Sequence, residues 1–140
     1  MKKTTKLHNN YSTVSIQNRH LLQFGNFGFQ ILTYSRLTDK QIKTIFWLVQ
    51  TNLKKYTTKQ VVKFWFLVFP NLTLTKLSLE SRMGKGKGLI DTTAVFIKPG
   101  TLICEFDNVS LAHARKILAF ITKVFPGKLK LIKCTKQKVI

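Results

Sequence analysis

Apolar residues recur at helical spacing in two stretches of this chain and gather in short extended runs elsewhere. In the first stretch Ile42, Ile45, Phe46, Val49 and Leu53 follow one another at three- and four-residue steps. Thr38 stands ahead of them with Gln41 three residues on, the spacing of a capping box. Lys54, Lys55 and Lys59 collect at the far end, where the helix dipole favours cations. Trp47 and Leu48 fall away from the stripe, so this helix is apolar on more than one side. Either the core face is simply wide, or a second partner, protein or RNA bases, covers the extra surface. The second stretch has Ser110 as cap and Leu111, Ala114, Ile117, Leu118, Ile121 and Phe125 as its stripe, stopped by Pro126-Gly127.

The remaining apolar runs read as strands. Leu21 to Phe29, with Gly25 and Gly28 among three phenylalanines, enters a strand reaching about Thr33. Val61 to Phe69 is a second, closed by Pro70-Asn71. Leu72 to Ser81 alternates loosely. Thr92 to Ile97 and Thr101 to Phe106 flank Lys98-Pro99-Gly100, whose Pro-Gly pair suits the centre of a type II turn, and are expected to pair as a hairpin. Lys128 to Cys134 alternates Lys128, Lys130 and Lys133 against Leu129, Leu131 and Ile132, as an edge or half-exposed strand would. The order β-α-β-loop-β-β-α-β predicts an α+β fold: a two-layer α/β sandwich, its mixed, mostly antiparallel sheet covered on one face by two helices. Residues 21–135 form the domain, 1–20 an extended basic arm and 136–140 a tail.

Charge decides what such a body is for. The 140 residues include 24 Lys+Arg against 5 Asp+Glu, a formal charge of +19. A globule with that excess repels itself unless a polyanion neutralises it. At 44% hydrophobic residues, with eleven Phe, the chain is nonetheless too apolar for a disordered basic tail. Twenty of the cations are lysines, point charges for phosphate; Arg19, Arg36, Arg82 and Arg115 offer the fixed guanidinium fork. Cys104 and Cys134 lie in apolar segments without a CxxC or histidine partner and are expected as buried free thiols. No apolar run approaches a membrane span, and residues 1–20 lack the apolar region of a secretory signal. An organellar presequence remains the alternative to an arm there.

The run Arg82-Met83-Gly84-Lys85-Gly86-Lys87-Gly88 has almost nothing to bury and wide backbone freedom. A phosphate-binding P-loop would need a Ser or Thr after the Lys and a helix behind it; Leu89 and a strand follow instead. The run reads as a flexible loop (Met83, Gly84, Gly86, Gly88) that brings Arg82, Lys85 and Lys87 to phosphates. Glu105 and Asp107, two apart, raise the possibility of a metal-dependent nuclease, but no third ligand is in view, and strand-end charges paired with lysines account for them. His8, His20 and His113 have no nucleophile or second ligand nearby in sequence. No enzyme and no cofactor is expected. The phosphate contacts are assigned to Lys2, Lys3, Lys6 and Arg19 in the arm, to Arg36, and to Arg82, Lys85 and Lys87. Lys123, Lys128, Lys130 and Lys133 form a C-terminal patch that Lys136 and Lys138 extend. With about eight phosphates neutralised, affinity falls as roughly the seventh power of salt.

These residues resemble the ribosomal protein uL16 (L16) family of the large subunit. The likeness rests on Phe24-Gly25-Asn26-Phe27-Gly28, Arg36-Leu37-Thr38, Gln41-Ile42, Val68-Phe69-Pro70, the Arg82 to Gly88 string and Lys98-Pro99-Gly100. Glu105-Phe106-Asp107, Ala114-Arg115 and Phe125-Pro126 complete it, over residues 20 to 135. The resemblance implies an α/β sandwich that binds large-subunit rRNA near the central protuberance. Its glycine-lysine loop would reach toward the peptidyl transferase region and tRNA. The arginine matching Arg82 is hydroxylated in some bacterial members. The chain departs from the family in its short Asn/Thr-rich arm, in the Ile45-Phe46-Trp47-Leu48 run, and in the uninterrupted strand over 62–67. These departures, with Lys, Phe, Ile and Asn favoured, suit a mitochondrial member with an extra protein neighbour on the Trp47 face; the expected partners are neighbouring ribosomal proteins, and no homo-oligomer is expected. The alternative is a basic RNA-binding or RNA-chaperone protein outside the ribosome.

Overall fold

The computed structural model describes residues 5–6, 21–56 and 61–134. Lys2, Lys3, Arg19, Lys59, Lys136 and Lys138, and the tail, lie outside them. The element order is β1 (Phe27–Ile31), β2 (Ser35–Thr38), α1 (Asp39–Tyr56), β3 (Phe64–Phe66), β4 (Leu72–Lys76), β5 (Leu89–Ile97), β6 (Leu102–Phe106), α2 (Leu111–Val124) and β7 (Leu129–Lys133). The expected α+β architecture is what forms, with antiparallel strands and two helices packed on one face. The strands divide into a four-stranded sheet in the order β3-β6-β1-β7 and a three-stranded sheet in the order β2-β5-β4.

Both helices form for the reasons their sequences give. The capping box closes, with the Thr38 N–H donating to Gln41 Oε1 at 3.0 Å and the Gln41 N–H reaching Thr38 Oγ1 at 3.5 Å. Ile42, Ile45, Val49 and Leu53 are buried. Phe46, placed on that stripe by its spacing, sits one position round the helix and is half-exposed. Its ring covers Phe64 and Phe66 of β3, at 5.5 and 5.6 Å. In α2 the Ser110 side chain accepts from the His113 N–H at 3.3 Å. Ala114, Ile117, Ile121 and Phe125 are buried, whereas Leu111 faces solvent. Against these stripes lie Phe27, Phe29 and Ile31 of β1 and Ile103, Cys104 and Phe106 of β6.

The hairpin expected across Lys98-Pro99-Gly100 does not form. The turn itself is present: Gly100 has φ +89°, and the Thr101 N–H returns to the Lys98 carbonyl at 3.3 Å. β5 nonetheless pairs with β2 and β4, and β6 with β1 and β3. A type II turn splays its flanking strands, whose right-handed twist calls for a primed turn. The two strands therefore leave the turn into different sheets, and the turn is stitched to β1 by Gly100 N–H to Ile31 O at 2.7 Å. The strand over 61–69 shortens to three residues, with Val68 turned into the core. β2 was not anticipated: its Ser35-Arg36-Leu37-Thr38 run, buried only at Ser35 and Leu37, is too short to show a period of two against the helix cap.

β6 is buried along its whole length because both of its faces are covered. On one side are the helices. Over the other folds the segment 21–26, fixed by Glu105, whose side chain is 1% exposed. Its carboxylate accepts from the N–H groups of Gln23 (3.1 Å), Phe24 (2.7 Å) and Gly25 (2.9 Å). Phe24 stacks on Trp65, which pairs with Glu105 across the sheet, at 5.8 Å and 26°.

Candidate nucleic-acid interface

β4 and β5 pair from Leu72↔Ala94 to Lys76↔Leu89, so residues 77–88 form the connecting loop of a long hairpin. The string Arg82 to Gly88 occupies its second half and returns to the base. Gly84 and Gly86 have φ of +88° and +86°, where an L side chain is strained, and a Cβ at either would meet nothing within 4 Å. Gly88 serves differently. A Cβ there would lie 2.4 Å from the Lys76 carbonyl oxygen, so the two hairpin arms close only over a glycine. Residues 76–87 are all exposed, with Leu79 and Met83 almost wholly so. The loop is therefore outside the core, as its composition requires, and it presents Arg82, Lys85 and Lys87 to solvent.

The arm meets this hairpin. Lys6 Nζ donates to the Lys87 carbonyl at 3.0 Å, and Thr73 Oγ1 in β4 donates to the Thr5 carbonyl at 2.7 Å. The structure thus brings Lys6 to Lys87, on the loop that also carries Arg82 and Lys85. No local pattern could announce that contact, which joins residues 81 positions apart.

The other candidates lie elsewhere. Arg36 is exposed on β2 opposite Phe96, seven residues along β5 from Leu89, or roughly 23 Å at strand rise. Lys123, in the last turn of α2, has its ammonium 5.9 Å from the Phe120 ring. Lys128 and Lys130 are exposed along the edge strand β7, where Lys130 faces Gln30. Lys133, grouped with them by spacing, falls on the other face opposite Phe27, because two and not three residues separate like-facing positions in a strand. Arg36 thus shares the three-stranded sheet with the hairpin but sits far along it, whereas the other cations belong to the four-stranded sheet and α2.

The acidic pair is not arranged as the sequence suggested. Glu105 neither joins a metal cluster nor pairs with lysine; its oxygens are taken by three backbone N–H groups. Asp107 accepts from the Asn26 side-chain amide, and its own N–H donates to the Lys63 carbonyl at 3.0 Å. A pocket of about 260 Å³ lined by Leu21, Gln23, Leu67, Leu102 and Glu105 opens beside this cradle. Among the described residues no group of three or more His, Cys, Asp and Glu side chains is placed to hold a metal. Both cysteines are free thiols, but only Cys104 is buried, and burial pushes its thiol pKa upward; Cys134 is half-buried. Among the described residues no helix is long and apolar enough to cross a membrane.

Fold and surface together define a class: a basic α+β body that braces its own sheet with the buried Glu105 and offers its cations outward, several on a projecting glycine-lysine hairpin. The comparisons with known proteins narrow it. Residues 1–132 match the family described as ribosomal protein L16p/L10e. The chain is 41% identical over 119 residues to "Large ribosomal subunit protein uL16m" of Chondrus crispus, covering 84% of this chain and 86% of that one. It is 38% identical over 109 residues to "Large ribosomal subunit protein uL16c" of Phaeodactylum tricornutum, covering 78% and 75%. Against "Large ribosomal subunit protein uL16" of Psychrobacter arcticus it is 32% identical over 133 residues, covering 95% and 93%. The chain belongs to the uL16 ribosomal protein family.

Proposed function

We propose that this protein is a structural component of the large ribosomal subunit that binds rRNA near the central protuberance and helps seat tRNA beside the peptidyl transferase centre. The observation that carries the reading is the exposed hairpin, on which a packed body holds Arg82, Lys85 and Lys87 away from itself with Lys6 at the base. A flexible cationic loop of this kind follows a phosphate backbone at close range, because glycine lets the main chain approach and each lysine neutralises one phosphate. Lys2, Lys3 and Arg19 extend that contact through the arm. Arg36 adds a second point of attachment and Lys128 with Lys130 a third, while Lys123 on α2 and Lys133 on the other face of β7 add further positive charge. No bond is made or broken by the protein; its contribution is to hold RNA in place.

Composition and kinship support a mitochondrial site of action: the chain is rich in lysine, phenylalanine, isoleucine and asparagine and is 41% identical to a uL16m protein. The decisive experiment is sedimentation of organelle extract through a moderate-salt gradient with an antibody to the chain. Co-migration with mitochondrial large subunits is expected. Recovery in ribosome-free fractions overturns the ribosomal reading, and recovery with cytosolic or plastid ribosomes overturns the mitochondrial one. Within the particle, crosslinks from residues 82–88 should map to rRNA and tRNA.

A further inference from the structure

Two adjacent aromatic residues of α1 have opposite fates. The Phe46 ring is engaged by Phe64 and Phe66, whereas Trp47 is 61% exposed. Trp47 belongs to a stripe with Lys40, Lys43, Thr51 and Lys54, at steps of three, four, four and three residues, all exposed. On a helix that spacing keeps the five on one face, along about 21 Å of axis. The acid bordering the stripe, Asp39, is held by Lys43 at 2.6 Å. The indole therefore shares its helix face with lysines, Lys43 one turn away and Lys40 and Lys54 two turns away.

We propose that this face of α1 is a stacking platform for RNA, with an unpaired base on the Trp47 indole and the flanking phosphates on Lys40, Lys43 and Lys54. The proposal rests on the RNA-binding reading above but concerns a face remote in sequence from the hairpin and the arm. Charge complementarity selects the occupant. A protein docking on Trp47 would have to cover the Asp39–Lys43 pair together with Lys40 and Lys54, and lysines are depleted from protein interfaces and costly to dehydrate without partners. An RNA strand supplies both missing elements, phosphates for the ammonium groups and a π face for the indole.

The chain has two tryptophans, and Trp65 is stacked on Phe24, so Trp65→Phe keeps an aromatic ring there and leaves Trp47 as the single indole. Single-stranded oligoadenylate of about ten nucleotides is the probe. An abasic oligomer of the same length is the control, carrying the phosphates without the bases. Oligoadenylate should quench the Trp47 fluorescence saturably and the abasic strand should not. Trp47→Ala should weaken oligoadenylate binding roughly 5- to 100-fold and abasic binding hardly at all, while Trp47→Phe retains most of the affinity. Binding with no quenching overturns the platform and leaves the RNA function standing. Failure of the chain to bind either strand overturns both readings. A photocrosslinker at position 47 that labels only protein in native large subunits assigns the face to a protein and overturns the proposal.

Discussion

The segment around Gly25 and the loop around Gly84 are written in a similar glycine-rich alphabet and do opposite things. In Phe24-Gly25-Asn26-Phe27-Gly28, glycine makes room. A Cβ on Gly25 would lie 2.7 Å from the Phe106 carbonyl oxygen, and one on Gly28 2.5 Å from Leu22 Cδ2. In the Arg82 to Gly88 run, Gly84 and Gly86 have only open space around them. What separates the two is the company glycine keeps. Between aromatics, with Glu105 to gather the N–H groups, glycine lets backbone pack on backbone. Between lysines there is nothing to pack, and the same residue gives the chain freedom to follow a ligand.

The largest effect that would test this contrast is loss of the carboxylate cradle. Glu105→Gln can keep an oxygen where the three N–H groups converge on Oε2, but it removes the charge from those bonds and sets an NH₂ group against the Gln23 N–H on the Oε1 side. It should cost about 2–4 kcal/mol in denaturant unfolding. Glu105 is also one of the two carboxylates that a nuclease would need, and the cradle assigns it to stability instead. A Glu105→Gln variant as stable as the parent would mean that segment 21–26 does not brace the sheet.

Gly25→Ala comes next, at about 2–3 kcal/mol, because the new methyl meets main chain that has nowhere to move. Cys104 gives an independent readout, since it is wholly buried on β6 and its raised pKa suppresses the reactive thiolate. Alkylation at pH 8 should modify half-buried Cys134 first and reach Cys104 through opening of the fold. A loss of about 2 kcal/mol should then speed Cys104 modification roughly 30-fold. Unchanged kinetics in Gly25→Ala would show that the thiol is reached by some other route.

Gly84→Ala and Gly86→Ala should each cost about 1–2 kcal/mol, a backbone penalty for positive φ with no clash attached. Gly88→Ala is the internal control within the same string. Its Cβ would meet the Lys76 backbone, so it should behave like Gly25→Ala. If all three loop glycines responded alike, the division of the string into hinge-closing and open positions would be wrong.

Much of this contrast was legible before the fold was known, and what was not is instructive. The two helices, their caps and stripes followed from local spacing, since a helix satisfies its hydrogen bonds within itself. The exposed loop followed from composition alone. The pairing of strands did not: the Pro99-Gly100 turn was read correctly, yet its geometry sends β5 and β6 apart, and only tertiary contact shows where they go. Glu105 was misread for a similar reason. Its donors lie 80 to 82 positions away, and a carboxylate next to a turn in a lysine-rich chain suggests lysine partners far more readily than main-chain N–H groups. The Lys6 contact with the hairpin was equally hidden.

The smallest expected change in stability belongs to the cations themselves. Lys85 and Lys87 are exposed on a loop, so the double replacement by Ala should alter unfolding free energy by no more than about 0.5 kcal/mol. Binding should respond where folding does not. Removing two phosphate contacts lowers the magnitude of the salt slope for rRNA binding by about 1.5 to 2. Lys128→Ala with Lys130→Ala, on the β7 edge, serves as the matched pair from the other sheet. Equal slopes for the two double variants would place both patches on RNA, whereas a change confined to the hairpin pair would leave the β7 lysines as solvated charge. A hairpin variant that lost stability while keeping the parental slope would invert the comparison, making the loop a structural element and the brace the better candidate for contact.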